Sequence, residues 1–305
     1  MWWHGQVVRQ KPAKLPSPVR IWVPPFLSKY MLYIVATPIG NLSDFTFRAV
    51  ETLKNSDYIL CEDTRHSRIL LDHYDIKKHL VSFHKFSESS KEDQIIIDLQ
   101  QGRIISLISD AGTPGISDPG TKLIQACIAH NIAVTPIPGA CAAITALCCS
   151  GLDTTRFQFI GFLPRKTGEL KRALQEILAY TGTTICYESP NRLMEVIECL
   201  QEIAPERPLV VARELTKKFE EIKRGIPKDI LDIWSNVSLK GEIVLMISGN
   251  DASAASQDCQ SLTPQEHVAL IQKEYGATRQ EAILIVAKIR GVSKRDVYNA
   301  VHREE

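Results

Sequence analysis

The chain has 305 residues, 44% of them hydrophobic, which is enough for two separate cores. A formal net charge of +1 excludes binding to a polyanion driven by global charge, and no apolar run approaches the ~20 residues of a membrane span. Eight scattered cysteines without a C-x-x-C pair exclude a disulfide framework and predict a reduced, cytoplasmic protein; Cys127-Ile-Ala-His130 has no second half, so no metal is expected.

Residues 1–30 carry five basic groups (Arg9, Lys11, Lys14, Arg20, Lys29), no acid, many prolines and no helical or strand period. They lack the continuous apolar core of a signal peptide and read as a disordered or spurious extension, with Met31 as the functional start. The remainder holds 31 positive and 35 negative charges.

From 31 to 150, strand and helix signals alternate. Strands are predicted at Leu32–Ala36, Tyr58–Cys61, Leu80–Phe83, Ile104–Ser109 and Ala133–Thr135. Helices follow over about Asp44–Lys54 and Thr64–Tyr74, from a capping box near Ser89-x-x-Glu92, from Pro119, and over Ala140–Cys149. That alternation predicts βαβ units and a largely parallel sheet. A polar break at Gly151–Arg156 marks a boundary. A second α/β domain, 151–249, has strands at Phe157–Phe162, Thr183–Tyr187, Leu209–Glu214, Glu220–Arg224 and Glu242–Ser248, and helices over Gly168–Ala179 and Asn191–Ile203. Gly225-Ile226-Pro227 reads as a turn within a strand-rich end. Residues 250–261 form a polar linker. The module 262–305 is helical and helix-turn-helix-like: Thr263-Pro264-Gln265-Glu266 and Thr278-x-x-Glu281 are capping boxes, Gly276 closes the first helix, and Gly291-Val292-Ser293 turns into the third. Across residues 286–303, Lys288, Arg290, Lys294, Arg295 and Arg303 oppose only Asp296, a patch suited to a phosphate backbone or to a solvated helical cap.

Candidate chemistry lies at strand ends. Ser109–Gly120, with three Gly and two Pro after a buried strand, can bring backbone close to a ligand, and Asp110, Thr113, Ser117 and Asp118 decorate it. Thr37-Pro38-Ile39-Gly40-Asn41 and Pro136-Ile137-Pro138-Gly139-Ala140 are similar loops, and three such loops on one crevice predict a small-molecule site. Gly115-x4-Gly120 is followed by Thr121-Lys122, the reverse of the P-loop order, and no G-x-G-x-x-G follows the first strand.

Seven ordered segments carry a resemblance: Thr37–Leu42, Cys61-Glu62-Asp63-Thr64-Arg65, Ser109–Gly120, Pro138–Ile144, Gly161-Phe162-Leu163-Pro164, Tyr187-Glu188-Ser189 and Ala212–Lys217. Together they resemble the tetrapyrrole methylase superfamily of S-adenosylmethionine-dependent enzymes. Within it they resemble the branch that methylates the 2′-hydroxyl of a cytidine in 16S ribosomal RNA. The resemblance runs from about Leu32 to Gly249 and extends to the helical tail.

It implies two α/β domains of the tetrapyrrole methylase type, a methyl donor held between them, a homodimer, and small-subunit rRNA or the assembled subunit as partner. Residue by residue it implies donor contacts from Pro38, Ile39, Gly40, Asp110, Gly112, Thr113, Pro114, Ile116, Cys141 and Ala142. Leu163, Tyr187, Ala212 and Ile243 join them from the second domain. Thr113 stands where other members carry Asp. A ribose hydroxyl needs a base or an electrostatic stabiliser. Glu62, Asp63 and Arg65, at a strand end on the same crevice, are the catalytic candidates. Glu188, Arg213 and Lys217 across the cleft, with Lys288, Arg290, Lys294 and Arg295, are the substrate candidates. An interdomain salt-bridge network is the structural alternative for each charge in the cleft. Methylation of a porphyrin-like molecule and ligand-sensing nucleic-acid regulation are the rival functions.

Overall fold

The structure, a computed structural model, describes residues 31–84, 88–235, 239–250, 262–275 and 278–302. The leader 1–30, the linker after Asn250, Gly276 and Arg303 lie outside the described residues, as do the side chains of Ser89 and Lys288.

The first five strands are β1 (Met31–Val35), β2 (Tyr58–Cys61), β3 (His79–Ser82), β4 (Ile104–Ile108) and β5 (Ala133–Ile137). They form one all-parallel sheet in the order β3-β2-β4-β1-β5. Each is followed by a helix: α1 (Phe47–Asn55, after a short 3₁₀ turn at Leu42–Asp44), α2 (Thr64–His73), α3 (Glu88–Gln100), α4 (Thr121–Ala129) and α5 (Ala142–Ser150). Strand alternation splits the apolar residues between two faces. Leu32, Leu60 and Leu107 pack with Ile95 and Leu99 of α3 and Leu123 and Cys127 of α4. Val35, Ile59, Cys61 and Ile108 pack with Leu53 of α1 and Leu70 and Leu71 of α2. Both faces are covered, as a parallel sheet requires.

The second sheet is built from β6 (Phe157–Phe162), β7 (Thr183–Glu188), β8 (Leu209–Arg213), β9 (Glu221–Gly225) and β10 (Ile243–Ile247). Its order is β6-β7-β10-β8-β9; β6 and β7 are parallel, and the other three pairings are antiparallel. On one face, Leu209, Val211, Leu245 and Ile247 bury α6 (Thr167–Ala179), α7 (Pro190–Ile203) and α8 (Pro227–Trp234). Helix α8 corrects the expected turn. Pro227 starts it, the Asp229 carboxylate accepts the Ile226 N–H at 3.0 Å, and Ile230 and Trp234, one turn apart, are buried.

The other face takes α5, which follows the parallel sheet in sequence. Ala143, Ala146 and Leu147 pack against Ile185, Val210, Ala212, Val244 and Met246. The end of α5 is held by Arg224 of β9, whose Nε donates to Ser150 O at 2.9 Å and whose guanidinium also donates to Cys149 O. A cation on the last carbonyls of a helix is favourable on both hydrogen-bond and dipole grounds. Helix α5, which follows the parallel sheet in the chain, is thus part of the second sheet's core, and Ile39 of the loop after β1 packs into the same cluster.

Three further helices, α9 (Pro264–Tyr275), α10 (Arg279–Arg290) and α11 (Lys294–His302), bury Val268, Ile271, Ala282, Ile283, Val286 and Val297 among themselves. Each opens with a reciprocal capping box: Thr263 with Glu266, Thr278 with Glu281, and Ser293 with Asp296. Among the described residues no helix is long and apolar enough to cross a membrane, no cluster of His, Cys, Asp or Glu is placed to hold a metal, and the cysteines are free.

Candidate active site

The carboxyl ends of β1, β4 and β5 are tied into one unit. The Thr37 N–H donates to Gly112 O at 2.8 Å, and the Gly112 N–H donates back to Thr37 O at 3.1 Å. Thr37 Oγ1 donates to Ser109 O at 3.1 Å, and Thr113 Oγ1 to Ala140 O at 3.0 Å. Gly112 makes the first link possible. Its φ is +84°, and a Cβ there would lie 3.3 Å from Ile39 Cγ2. Thr113 thus acts as a strut between loops.

These loops face the ends of β7, β8 and β10 across a cavity of about 400 Å³. Because β10 runs antiparallel to β7 and β8, its amino end lies beside their carboxyl ends, with Ile243 opposite both Glu188 and Arg213. Gly241 and Glu242 therefore reach the cavity. A Cβ on Gly241, at φ +94°, would fall 2.2 Å from Glu214 Oε1. Instead that oxygen accepts the Glu242 N–H at 3.0 Å and Lys217 Nζ at 2.9 Å. Lys217 also donates to Glu242 at 2.9 Å.

Glu188 is 3% exposed and lines the cavity. Its Oε1 accepts the Ser189 N–H at 2.8 Å and an Arg192 N–H at 3.4 Å, while the buried Oε2 accepts no hydrogen bond. Arg192 also donates to Leu163 O at 3.2 Å and Pro164 O at 2.6 Å, fixing the loop after β6. Tyr187 meets Phe159 and Phe162 edge-on, with ring centroids 4.8 and 5.8 Å away. Burial, reinforced by Cys141, pushes its hydroxyl up to about 12.

Opposite this wall Asp110 and Asp118 line the cavity, and Glu62 lies near enough to interact with both. Burial, then the charges of Glu62 and Asp110, push Asp118 up to about 6. Burial and then Asp110 raise Glu62, against a smaller lowering by His84. Asp110 Oδ1 accepts the Asp63 N–H at 3.2 Å. This acidic edge beside an aromatic, apolar wall suits a ligand that is cationic at one end and carries a flat ring at the other.

Of the residues expected to touch the donor, Ile39, Asp110, Gly112, Thr113, Ile116, Cys141, Ala142, Tyr187, Ala212 and Ile243 line this cavity. Pro38 and Gly40 line a second, adjoining cavity instead. Pro114 and Leu163 are buried and line neither. Strand alternation explains Leu163: it turns into the core with Leu170 and Leu174, so Phe162 is presented in its place. The catalytic candidates divide. Glu62 interacts with Asp110 and Asp118 without lining either cavity. Asp63 caps α2, accepting the Arg65 N–H at 2.8 Å, and hydrogen bonds from Arg65 hold its carboxyl down at about 2. The Arg65 side chain is 91% exposed in its 2.9 Å pair with Asp63.

Of the substrate candidates, Glu188 lines the first cavity and Lys217 the second. Arg213 lines neither, being held by Glu221 at 2.6 Å and Lys240 O at 2.9 Å. Arg290 braces the helical module, donating from Nε to His267 Nδ1 at 3.1 Å and from its terminal nitrogen to Leu262 O at 2.6 Å. Lys294 and Arg295 are exposed. The sequence reading missed Gly241 and Glu242, whose signal was the short turn immediately before β10.

The family signature Tetrapyrrole (Corrin/Porphyrin) Methylases matches residues 31–230. A protein of Halalkalibacterium halodurans named ribosomal RNA small subunit methyltransferase I is 46% identical over 281 residues, covering 90% of this chain and 96% of the relative. Its namesake in Bacillus subtilis is 43% identical over 277 residues, covering 89% and 94%. Among solved structures, cobalt precorrin-4 methyltransferase superposes with a TM-score of 0.55 at 15% identity, covering 72% of this chain and 95% of its own. Diphthine synthase gives 0.54 at 12% identity, covering 72% and 90%; both likenesses show the fold. The chain belongs to the tetrapyrrole methylase family and, within it, to the family of ribosomal RNA small subunit methyltransferase I.

Proposed function

We propose that this protein transfers a methyl group from S-adenosylmethionine to the ribose 2′-hydroxyl of a cytidine in small-subunit ribosomal RNA. The observation that carries the reading is the cavity itself. Strand ends of both sheets enclose it, in a chain whose relatives over about nine-tenths of its length bear the rRNA methyltransferase name. The donor fits the residues present. An apolar wall with Tyr187 would take its adenine, and the Asp110 and Asp118 side would face its positive charge.

The donor supplies a methyl already activated on a sulfonium, so the protein's main task is to place the acceptor oxygen in line with it. The three interlocked loops hold the cavity shape, and Tyr187 with Ile243 keeps water from one wall. Asp118, raised to about 6 by burial and then by the charges of Glu62 and Asp110, is the cavity-lining carboxyl group that takes the proton in this reading; Glu62, itself raised by burial and by Asp110, helps to hold it there. Exposed Lys294 and Arg295 on α11 add sequence-independent phosphate contacts. The edge strand β6 leaves Phe157, Ile160 and Phe162 exposed, a surface for a second copy of the chain, read by light scattering. This reading places the protein in the cytoplasm, with its substrate.

The test is transfer of labelled methyl to small-subunit RNA, to assembled subunits and to a tetrapyrrole, followed by nucleoside digestion. Label in 2′-O-methylcytidine supports the reading. Label in the tetrapyrrole alone overturns it.

A further inference from the structure

The second cavity, of about 310 Å³, adjoins the first, and Ile39, Asp110, Ala111 and Glu242 line both. It is built differently. Leu42, Ile69 and Leu70 give it apolar surface, and His66 and Ser67 of α2 add polar groups. The Ser67 side chain is buried and its hydroxyl lies against the Cys61 thiol, so the exposed His66 is the polar side chain of α2 that faces this space. The cation on this wall, Lys217, is already held by Glu214 and Glu242 at 2.9 Å each, which makes the pocket a poor phosphate site.

Resting on the reading above, we propose that this second cavity receives the acceptor nucleoside, one base and its ribose turned out of the RNA strand. In-line transfer requires the acceptor oxygen to approach along the axis of the breaking S–CH₃ bond. An acceptor pocket must therefore open onto the donor cavity through a shared wall. The Asp110–Ala111 segment and Ile39 are that wall. The volume holds a single nucleoside, the apolar side chains take the flat face of the base, and His66 reads its polar edge. Enzymes that modify one nucleotide commonly extrude it into such a pocket and leave the phosphates outside. In the transfer the acceptor O–CH₃ bond forms and the S–CH₃ bond breaks with its electron pair going to sulfur. The 2′-hydroxyl proton leaves to a carboxylate of the acidic edge.

His66 and Ile69 are exposed on α2, so bulk added there narrows this cavity without entering a core. His66→Trp and Ile69→Trp in the full-length protein are measured for donor binding by calorimetry and for methyl transfer to small-subunit RNA. The expected result is donor affinity within twofold of the parent and transfer reduced at least tenfold in each. Transfer within twofold of the parent overturns the pocket assignment alone. A parallel loss of donor affinity also overturns it, by making the second cavity part of the donor site. A parent protein that binds donor but methylates no RNA overturns the functional reading, and this assignment with it.

Discussion

On the parallel sheet, the loops at the cavity are fixed by backbone and hydroxyl hydrogen bonds: Thr37 to Gly112 in both directions, and Thr113 to Ala140. On the mixed sheet, the corresponding ends are fixed by charge: Glu188 by Arg192, and Glu214 and Glu242 by Lys217. A loop held by its own backbone tolerates side-chain exchange but not an added Cβ where two chains touch. A wall held by ion pairs, with Glu188 buried and Glu242 exposed, tolerates backbone adjustment but not the loss of the buried carboxylate's partner. The difference fits the division of labour proposed for the site, with close backbone approach on one side and a fixed carboxylate on the other.

The largest effect is expected where the buried charge loses its partner. Arg192→Ala leaves Glu188, with its side chain 1% exposed, uncompensated, and frees the carbonyls of Leu163 and Pro164. Denaturant unfolding should show a loss of about 3–5 kcal/mol, most of it recovered when Glu188→Gln is added. A loss below about 1 kcal/mol would show that the mixed-sheet wall does not depend on charge. Gly112→Val attacks the other sheet. A β-branched residue at φ +84°, crowding Ile39, should cost about 2–3 kcal/mol and weaken donor binding more than tenfold in calorimetry. Wild-type donor affinity in that variant would remove the Thr37–Gly112 bridge from the account of the site.

The same contrast governs how much was legible in the sequence. The parallel sheet was readable strand by strand, because its β-branched runs and Gly/Pro loops report backbone needs directly. The mixed sheet was readable as strands but not as a site. Its cavity residues depend on strand direction and on which face a side chain takes. Gly241 and Glu242 sit at the amino end of an antiparallel strand, where a rule about carboxyl ends does not look. Leu163 and Phe162 exchanged roles for the same reason of alternation. Helix α8 was hidden by its opening Gly225-Ile226-Pro227, which reads equally as a turn or as a helix start. Charged residues were the least legible: Asp63 proved a helix cap and Arg213 an ion-pair partner, because sequence position does not reveal what neutralises a charge.

A smaller effect, of opposite sign, is expected at the acidic edge. Asp118 titrates near 6 in the folded chain against 3.8 as its ordinary value, so the folded state holds the proton more tightly. Its contribution to stability is present below pH 3.8 and is lost as pH rises through about 6. Asp118→Asn should therefore melt higher than the parent at pH 7, by about 1 kcal/mol after solvent screening, with the gap closing towards pH 4. Donor binding should weaken in the same variant, since the carboxylate there faces the cationic ligand. A gap that does not change between pH 4 and 7 would mean that repulsion among Glu62, Asp110 and Asp118 does not strain the edge.

The smallest effect is expected at Arg65, which sequence reasoning placed with Glu62 and Asp63 among the catalytic candidates. Its guanidinium is 91% exposed, lines neither cavity, and pairs with an Asp63 carboxylate that already caps α2 through the backbone. An exposed pair of this kind contributes little, because water screens the attraction and two side chains must be ordered to form it. Arg65→Ala should shift the melting temperature by less than about 1 °C and leave donor affinity unchanged. Its value lies in the rate. If transfer to small-subunit RNA also stays within twofold, both means of fixing the cavity operate without this residue. If the rate instead falls tenfold at constant donor affinity, Arg65 meets the RNA only in the bound complex. The parallel sheet would then use charge as well as backbone, on the acceptor side of the site.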